Sequence, residues 1–123
     1  MSSTKNELIL GVALVLIASI AHAQEAKCPS YQGKRPLSSV VVFDGPPEER
    51  ADLIPDFAKG NSDHVYASWE VSYIFDAGRN LFLVCRYAGS GDAEAVTIKV
   101  DKRVKQCIYR THGGGIPAEL TCK

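Results

Sequence analysis

The 123-residue sequence has no excess of charge of either sign: 14 lysines and arginines face 14 aspartates and glutamates. A zero balance argues against bulk electrostatic binding to nucleic acid or anionic lipid. Histidine occurs three times, at His22, His64 and His112, with no H-E-x-x-H around any of them. There is also no G-x-S-x-G, no phosphate-binding loop and no C-x-x-C, so the signals of a zincin, an α/β-hydrolase elbow, a nucleotide site, a zinc knuckle and a thioredoxin-like pair are missing. No segment repeats and none is of low complexity.

Long apolar runs are confined to one place. Residues 8–20 (LILGVALVLIASI) follow Lys5 and precede Ala21-His22-Ala23. The run is too short for a stable membrane span, and the small-x-small ending is what signal peptidase requires. The reading is a secretory signal peptide over 1–23, cut between Ala23 and Gln24, and a single domain over 24–123 in the periplasm. A lipidated cysteine needs small apolar residues before it, whereas Cys28 follows Glu25-Ala26-Lys27.

Four cysteines, Cys28, Cys85, Cys107 and Cys122, all lie in the exported part. An even count in a small exported domain predicts disulfides. Cys107 and Cys122 are equidistant from a point between Gly114 and Gly115. A hairpin folded there sets them opposite each other, which favours the pairs Cys107–Cys122 and Cys28–Cys85 among the three possible connectivities.

Residues 38–43 (SSVVVF) have strand propensity and stop at Asp44-Gly45. Pro46-Pro47 can open a helix, which Pro55 would close after two turns. Residues 56–65 read as a loop. From Trp69 the pattern suggests strands over 69–75, 80–87, 95–100, 105–111 and 118–123, broken by turns at Asp76-Ala77-Gly78-Arg79, Gly89-Ser90-Gly91-Asp92, Asp101-Lys102-Arg103 and Gly113-Gly114-Gly115. The expected fold is mainly β (α+β): an antiparallel meander forming a curved sheet or small barrel, covered by the N-terminal strand and one short helix.

Chemistry could reside in the acidic stretch Asp44, Glu48, Glu49, Asp52 and Asp56. Two carboxylates could form a hydrolytic acid/base pair, but that needs a cleft. The simpler reading is helix capping and a solvated acidic face. EF-hand spacing is absent, and neither a metal nor a cofactor is implied. Catalysis is therefore the less favoured reading, and no catalytic residue is assigned. Asp44, Glu48, Glu49, Asp52, Trp69 and Tyr73 are the candidate binding residues. The row Trp69, Tyr73, Phe75 and Tyr87 could line a groove or simply form core.

Charge is unevenly distributed along the chain. Between Asp44 and Asp76 eight acids face Arg50 and Lys59; between Arg79 and Arg110 seven bases face Asp92, Glu94 and Asp101. Either the acidic part meets a basic partner or the two parts neutralise each other.

The strings VVFDGPPEERADLIPD, WEVSYIF, LVCRYAG, VTIKV and VKQCIYR…LTCK resemble a family of small exported proteobacterial proteins of unknown function. The resemblance spans nearly all of residues 24–123 and implies a periplasmic, disulfide-bonded, mostly β domain without assigned catalytic residues. A weaker similarity is to periplasmic lysozyme inhibitors. The membrane-bound type carries S-G-S-G-x-x-Y, whereas here Gly89-Ser90-Gly91 leads into Asp92-Ala93-Glu94. The reading is a periplasmic binding or interaction protein whose ligand the sequence leaves open between another periplasmic or extracellular protein and a small molecule, with inhibition of a lytic or proteolytic enzyme as one alternative and hydrolysis by the 44–56 stretch as another. Nucleic acid and stable membrane insertion after signal cleavage are not expected. The sequence does not set the oligomeric state.

Overall fold

The computed structural model describes residues 26–123; the expected signal peptide and its cleavage point lie outside them. The elements in chain order are β1 (Ala26–Lys27), β2 (Tyr31–Gln32), β3 (Arg35–Asp44), a 3₁₀ turn (Pro47–Glu49), β4 (Phe57–Gly60), β5 (Val65–Glu70), α1 (Ser72–Asp76), β6 (Leu81–Tyr87), a second 3₁₀ turn (Asp92–Glu94), β7 (Val96–Val100), β8 (Gln106–Arg110) and β9 (Glu119–Cys122). The fold is mainly β, as expected. Its strands form two antiparallel sheets and no closed barrel: five strands in the order β1-β9-β8-β5-β4, and four in the order β2-β3-β6-β7.

Register fixes which side chains face inward. In the five-stranded sheet Ala67, Tyr109 and Leu120 form one inward row, and Trp69, Cys107 and Cys122 the next. In the four-stranded sheet Val42, Leu83 and Ile98 pair across, followed by Val40, Cys85 and Val96. These rows meet in one core whose fully buried members include Ile74, Leu81, Leu83, Leu120, Val42 and Val71. Polar ties also cross between the sheets: Tyr109 Oη donates to the Ser38 carbonyl at 3.0 Å, and the Ala118 N–H to the Leu37 carbonyl at 2.9 Å. Burial raises the Tyr109 hydroxyl pKa above its ordinary value, so it remains a donor.

Both disulfides lie in this core. Cys28 bonds Cys85 with Cα atoms 5.8 Å apart, and Cys107 bonds Cys122 with Cα atoms 3.9 Å apart. The second links directly paired residues of β8 and β9. The first joins the sheets, because the Cys28 N–H donates to Leu120 of β9 while Cys85 belongs to β6.

Four expectations need correction. The single five-stranded meander is replaced by two sheets: β5 pairs with β8, and β6 pairs with β3 and β7. The strand expected over 69–75 ends at Glu70, and Ser72–Asp76 turns into α1. Val71 and Ile74 are fully buried, three residues apart, whereas Tyr73 is 47% exposed. That is helical spacing. Gly78, at φ 73°, closes the helix in a Schellman arrangement: the Gly78 N–H donates to the Phe75 carbonyl and the Arg79 N–H to the Ile74 carbonyl. The expected two-turn helix after Pro46-Pro47 is one 3₁₀ turn, ended by Arg50 in the left-handed region at φ 59°.

The expected loop over 56–65 is partly strand. Phe57–Gly60 pairs with Val65–Glu70 through a turn in which Asn61 Oδ1 accepts from the N–H groups of Asp63 and His64. Gly60 is required there, because a Cβ would stand 1.9 Å from the His64 carbonyl oxygen.

Two outcomes test this packing. Ile74→Ala should cost about 2–5 kcal/mol in denaturant unfolding, while Tyr73→Ala should cost well under half as much; a strand with Tyr73 inward would reverse the order. Loop closure predicts that replacing the Cys28–Cys85 pair by alanines costs about 4 kcal/mol and the Cys107–Cys122 pair about 3 kcal/mol, since they span 57 and 15 residues. Unfolding midpoints of the two double variants would check that ranking.

Candidate functional site

The acidic stretch closes back on β3 instead of projecting from it. The Asp44 N–H donates to the Ala51 carbonyl, and the Leu53 N–H to the Val42 carbonyl. Phe43 and Asp52 form a β-bridge. Gly45, at φ 92°, leaves space that the Glu49 carboxylate takes: a Cβ there would meet Glu49 Oε1 at 2.7 Å.

Asp44 is an anchor. Its two oxygens accept from Arg79 Nε and Nη2, each at 2.7 Å, and its side chain is 17% exposed. That hydrogen bond and the Asp44 charge raise the Arg79 pKa further. Trp69 is buried and donates from Nε1 to the Leu53 carbonyl at 3.1 Å, so it holds the lip from beneath. Glu48, Glu49, Asp52 and Ile54 are exposed on its outside, Ile54 at 87%. Asp56 accepts from the Glu70 N–H at 2.6 Å. The Tyr73 hydroxyl pKa is raised by burial first, then by the charges of Asp44 and Asp56. Of the six candidate binding residues, Glu48, Glu49 and Asp52 lie exposed on the lip and Tyr73 is half-exposed on α1, whereas Asp44 and Trp69 serve the lip's architecture. The expected aromatic row is divided: Trp69 and Tyr87 are core and Tyr73 is outside.

The Gly89–Asp92 turn is tied down as well. Ser90 Oγ donates to the Tyr87 carbonyl at 2.8 Å, and Arg35 pairs with Glu94 at 2.6 Å. The Arg35 hydrogen bond, then the Gly91 N–H, hold the Glu94 carboxyl below the usual carboxylate range.

Sequence reasoning missed the outward faces of the sheets. On the five-stranded sheet, Lys59, Tyr66, Arg110 and Glu119 form one outward row. Phe57, Ser68, Ile108, Thr121 and Lys27 form the next. Phe57 meets Tyr66 edge-on at 6.0 Å, and the Arg110 guanidinium lies over the Tyr66 ring at 5.3 Å. Arg110 also walls two shallow depressions. One, of about 250 Å³, lies among Ile108, Glu119, Thr121 and Lys123; the other, of about 330 Å³, lies among Lys59, His64, Tyr66 and His112. On the four-stranded sheet the outward rows are Val41, Val84 and Thr97, then Phe43, Phe82 and Lys99. The signal for the first face is the alternation across 65–70, of which a strand beginning at Trp69 covers only the last two residues.

The fold and these surfaces define a small, disulfide-locked, two-sheet domain that offers broad faces instead of a deep cleft. The family model of the type VI secretion system Tli immunity protein matches residues 32–123, and the chain belongs to that family. Comparison with curated proteins and with solved structures finds no match.

The anchoring role of Asp44 has a direct test. Asp44→Ala should lower the melting midpoint clearly, because Arg79 loses both acceptors. Glu48→Gln and Glu49→Gln should stay within about 0.5 kcal/mol of wild type, as exposed substitutions do. Equal shifts at all three positions in a thermal melt would remove the distinction between anchor and lip.

Proposed function

We propose that this chain is a periplasmic immunity protein that binds a toxic effector delivered by type VI secretion and blocks it by direct, stoichiometric contact. The observation that carries the reading is the family match over residues 32–123. It favours the inhibitor alternative over an unspecified binding module. The disulfides support an oxidising compartment, since such bonds persist there and are rare in the cytosol. The arrangement of the acidic stretch weighs against hydrolysis: Asp44 is committed to Arg79, and Glu48 and Glu49 stand in the open instead of facing one another across a cleft.

The test is to direct type VI effectors from the same organism, one at a time, to the periplasm of a sensitive cell. Co-expression of the full precursor should restore growth against one of them, and a version lacking residues 1–23 should not. With purified components, inhibition should saturate at a fixed molar ratio near one; protection at far lower ratios would point to turnover. Undiminished toxicity, with no complex formed by the oxidised chain, would sink the reading.

A further inference from the structure

We infer that the outward face of the five-stranded sheet, centred on Arg110 and Tyr66, is the surface that docks the effector, and that the effector meets it with an acidic side chain set beside an apolar one. This rests on the immunity reading above and adds the surface and the chemistry it recognises.

Six arginines lie in the described domain, and Arg50 and Arg110 are the two without an ion pair; Arg50 follows Glu48 and Glu49 in the acidic lip, whereas Arg110 is the one held over an aromatic ring. Arg35 pairs with Glu94, Arg79 with Asp44 and Arg103 with Asp76, and Arg86 lies 3.5 Å from Asp92. Arg110 has an acid directly across the strand pair, Glu119. Yet the Glu119 carboxylate is engaged by His112 Nε2 at 2.5 Å, and Arg110 lies instead over Tyr66. Among the described residues no carboxylate pairs with it. A cation–π contact at 5.3 Å holds the guanidinium near the ring and leaves its N–H fork available for a carboxylate from outside.

The surroundings fit the same ligand. Lys27, Lys59 and Lys123 add positive charge to this face, against Glu70 and the His112-bound Glu119. Phe57 is 51% exposed, and with Tyr66 and Ile108 it supplies apolar area next to the guanidinium. Tyrosine and arginine packed together on an open face, here in the row at one end of β5 and β8, are the residue types that carry most of the energy in protein interfaces. The depressions on either side of Arg110 give an apolar neighbour of the incoming carboxylate a place to sit.

The experiment uses the oxidised chain and the type VI effector whose toxicity it neutralises in the periplasmic test above. Arg110→Glu and Tyr66→Ala should each weaken binding at least about thirtyfold, the loss expected of a central anchor. Lys99→Glu, the same charge change on the other sheet's outward face, should stay within about threefold. Melting midpoints near wild type establish that the variants are folded. Independently, a photo-crosslinking residue replacing Ile108 should capture the effector, and one replacing Thr97 should not. Binding unchanged by Arg110→Glu, or capture from position 97 and not 108, would overturn the assignment of this face while leaving the immunity reading standing. A wild-type chain that neither binds nor neutralises any effector of that test would overturn both.

Discussion

The two sheets must be held face to face by a chain too short to bury a large core, and the Cys28–Cys85 bond is what joins them. Its partners belong to opposite layers: Cys28 is hydrogen-bonded to β9, and Cys85 is the inward residue of β6 opposite Val40 and Val96. The bond therefore fixes the stacking of the inward rows. Tyr109 to Ser38 and Ala118 to Leu37 then set the lateral alignment by hydrogen bonds. Cys107–Cys122 acts within one layer, where it locks the register of β8 and β9. Register decides which residues face out, so the Cys107–Cys122 bond also places Arg110 and Ile108 on the open side.

The charge asymmetry along the chain is partly consumed in this assembly. Asp44 meets Arg79, and Asp76 meets Arg103, so acids of the first part neutralise bases of the second. The surplus is what remains informative. Glu48, Glu49 and Asp52 stay at the lip with Arg50 among them, leaving it net acidic, and Arg110 stays on the sheet without an acid. Internal pairing does not explain these groups, and they lie on separate surfaces. A protein with zero net charge can thus present one acidic and one basic region to a partner of mixed charge.

How much of this was legible in the sequence depends on whether the signal is local. Strands β6 to β9 lie within a residue or so of the segments marked by alternation and Gly-rich turns. The disulfide pairs match the pairing favoured by hairpin symmetry. Pairing across long separations was not legible, because alternation says which face is buried but not which strand lies alongside. Val71-Ser72-Tyr73-Ile74-Phe75 satisfies a two-residue and a near-four-residue period equally well over so short a run. Only Gly78, read as a hairpin glycine, could have marked a helix end instead. Strand β4 was hidden because Lys59, Gly60 and Asn61 look like loop residues, and all four of its residues are exposed at a sheet edge. For the candidate site, the acidic lip was visible as a composition. The Arg110 face was not, because it is assembled from residues 57, 66, 108 and 110, and only the strand order makes them neighbours.

An inhibitor that works by occupancy gains from a surface already in its bound shape, since ordering side chains on binding costs free energy that contact must then offset. The five-stranded face meets that requirement in a specific way. Its backbone is held by ladders on both sides of β5 and β8, and by the Cys107 disulfide beneath. Tyr66 is braced by Phe57 on one side and covered by Arg110 on the other, so the longest side chain of the cluster is already directed. The lip is arranged differently. Its backbone is pinned by Asp44, Trp69 and Leu53, but Glu48, Glu49 and Asp52 are free at their tips. Charges of that kind act at a distance and speed encounter, whereas a braced aromatic–arginine pair acts in contact and slows dissociation. In the proposed blocking role, the two surfaces divide the work: attraction at the acidic lip and retention on the sheet.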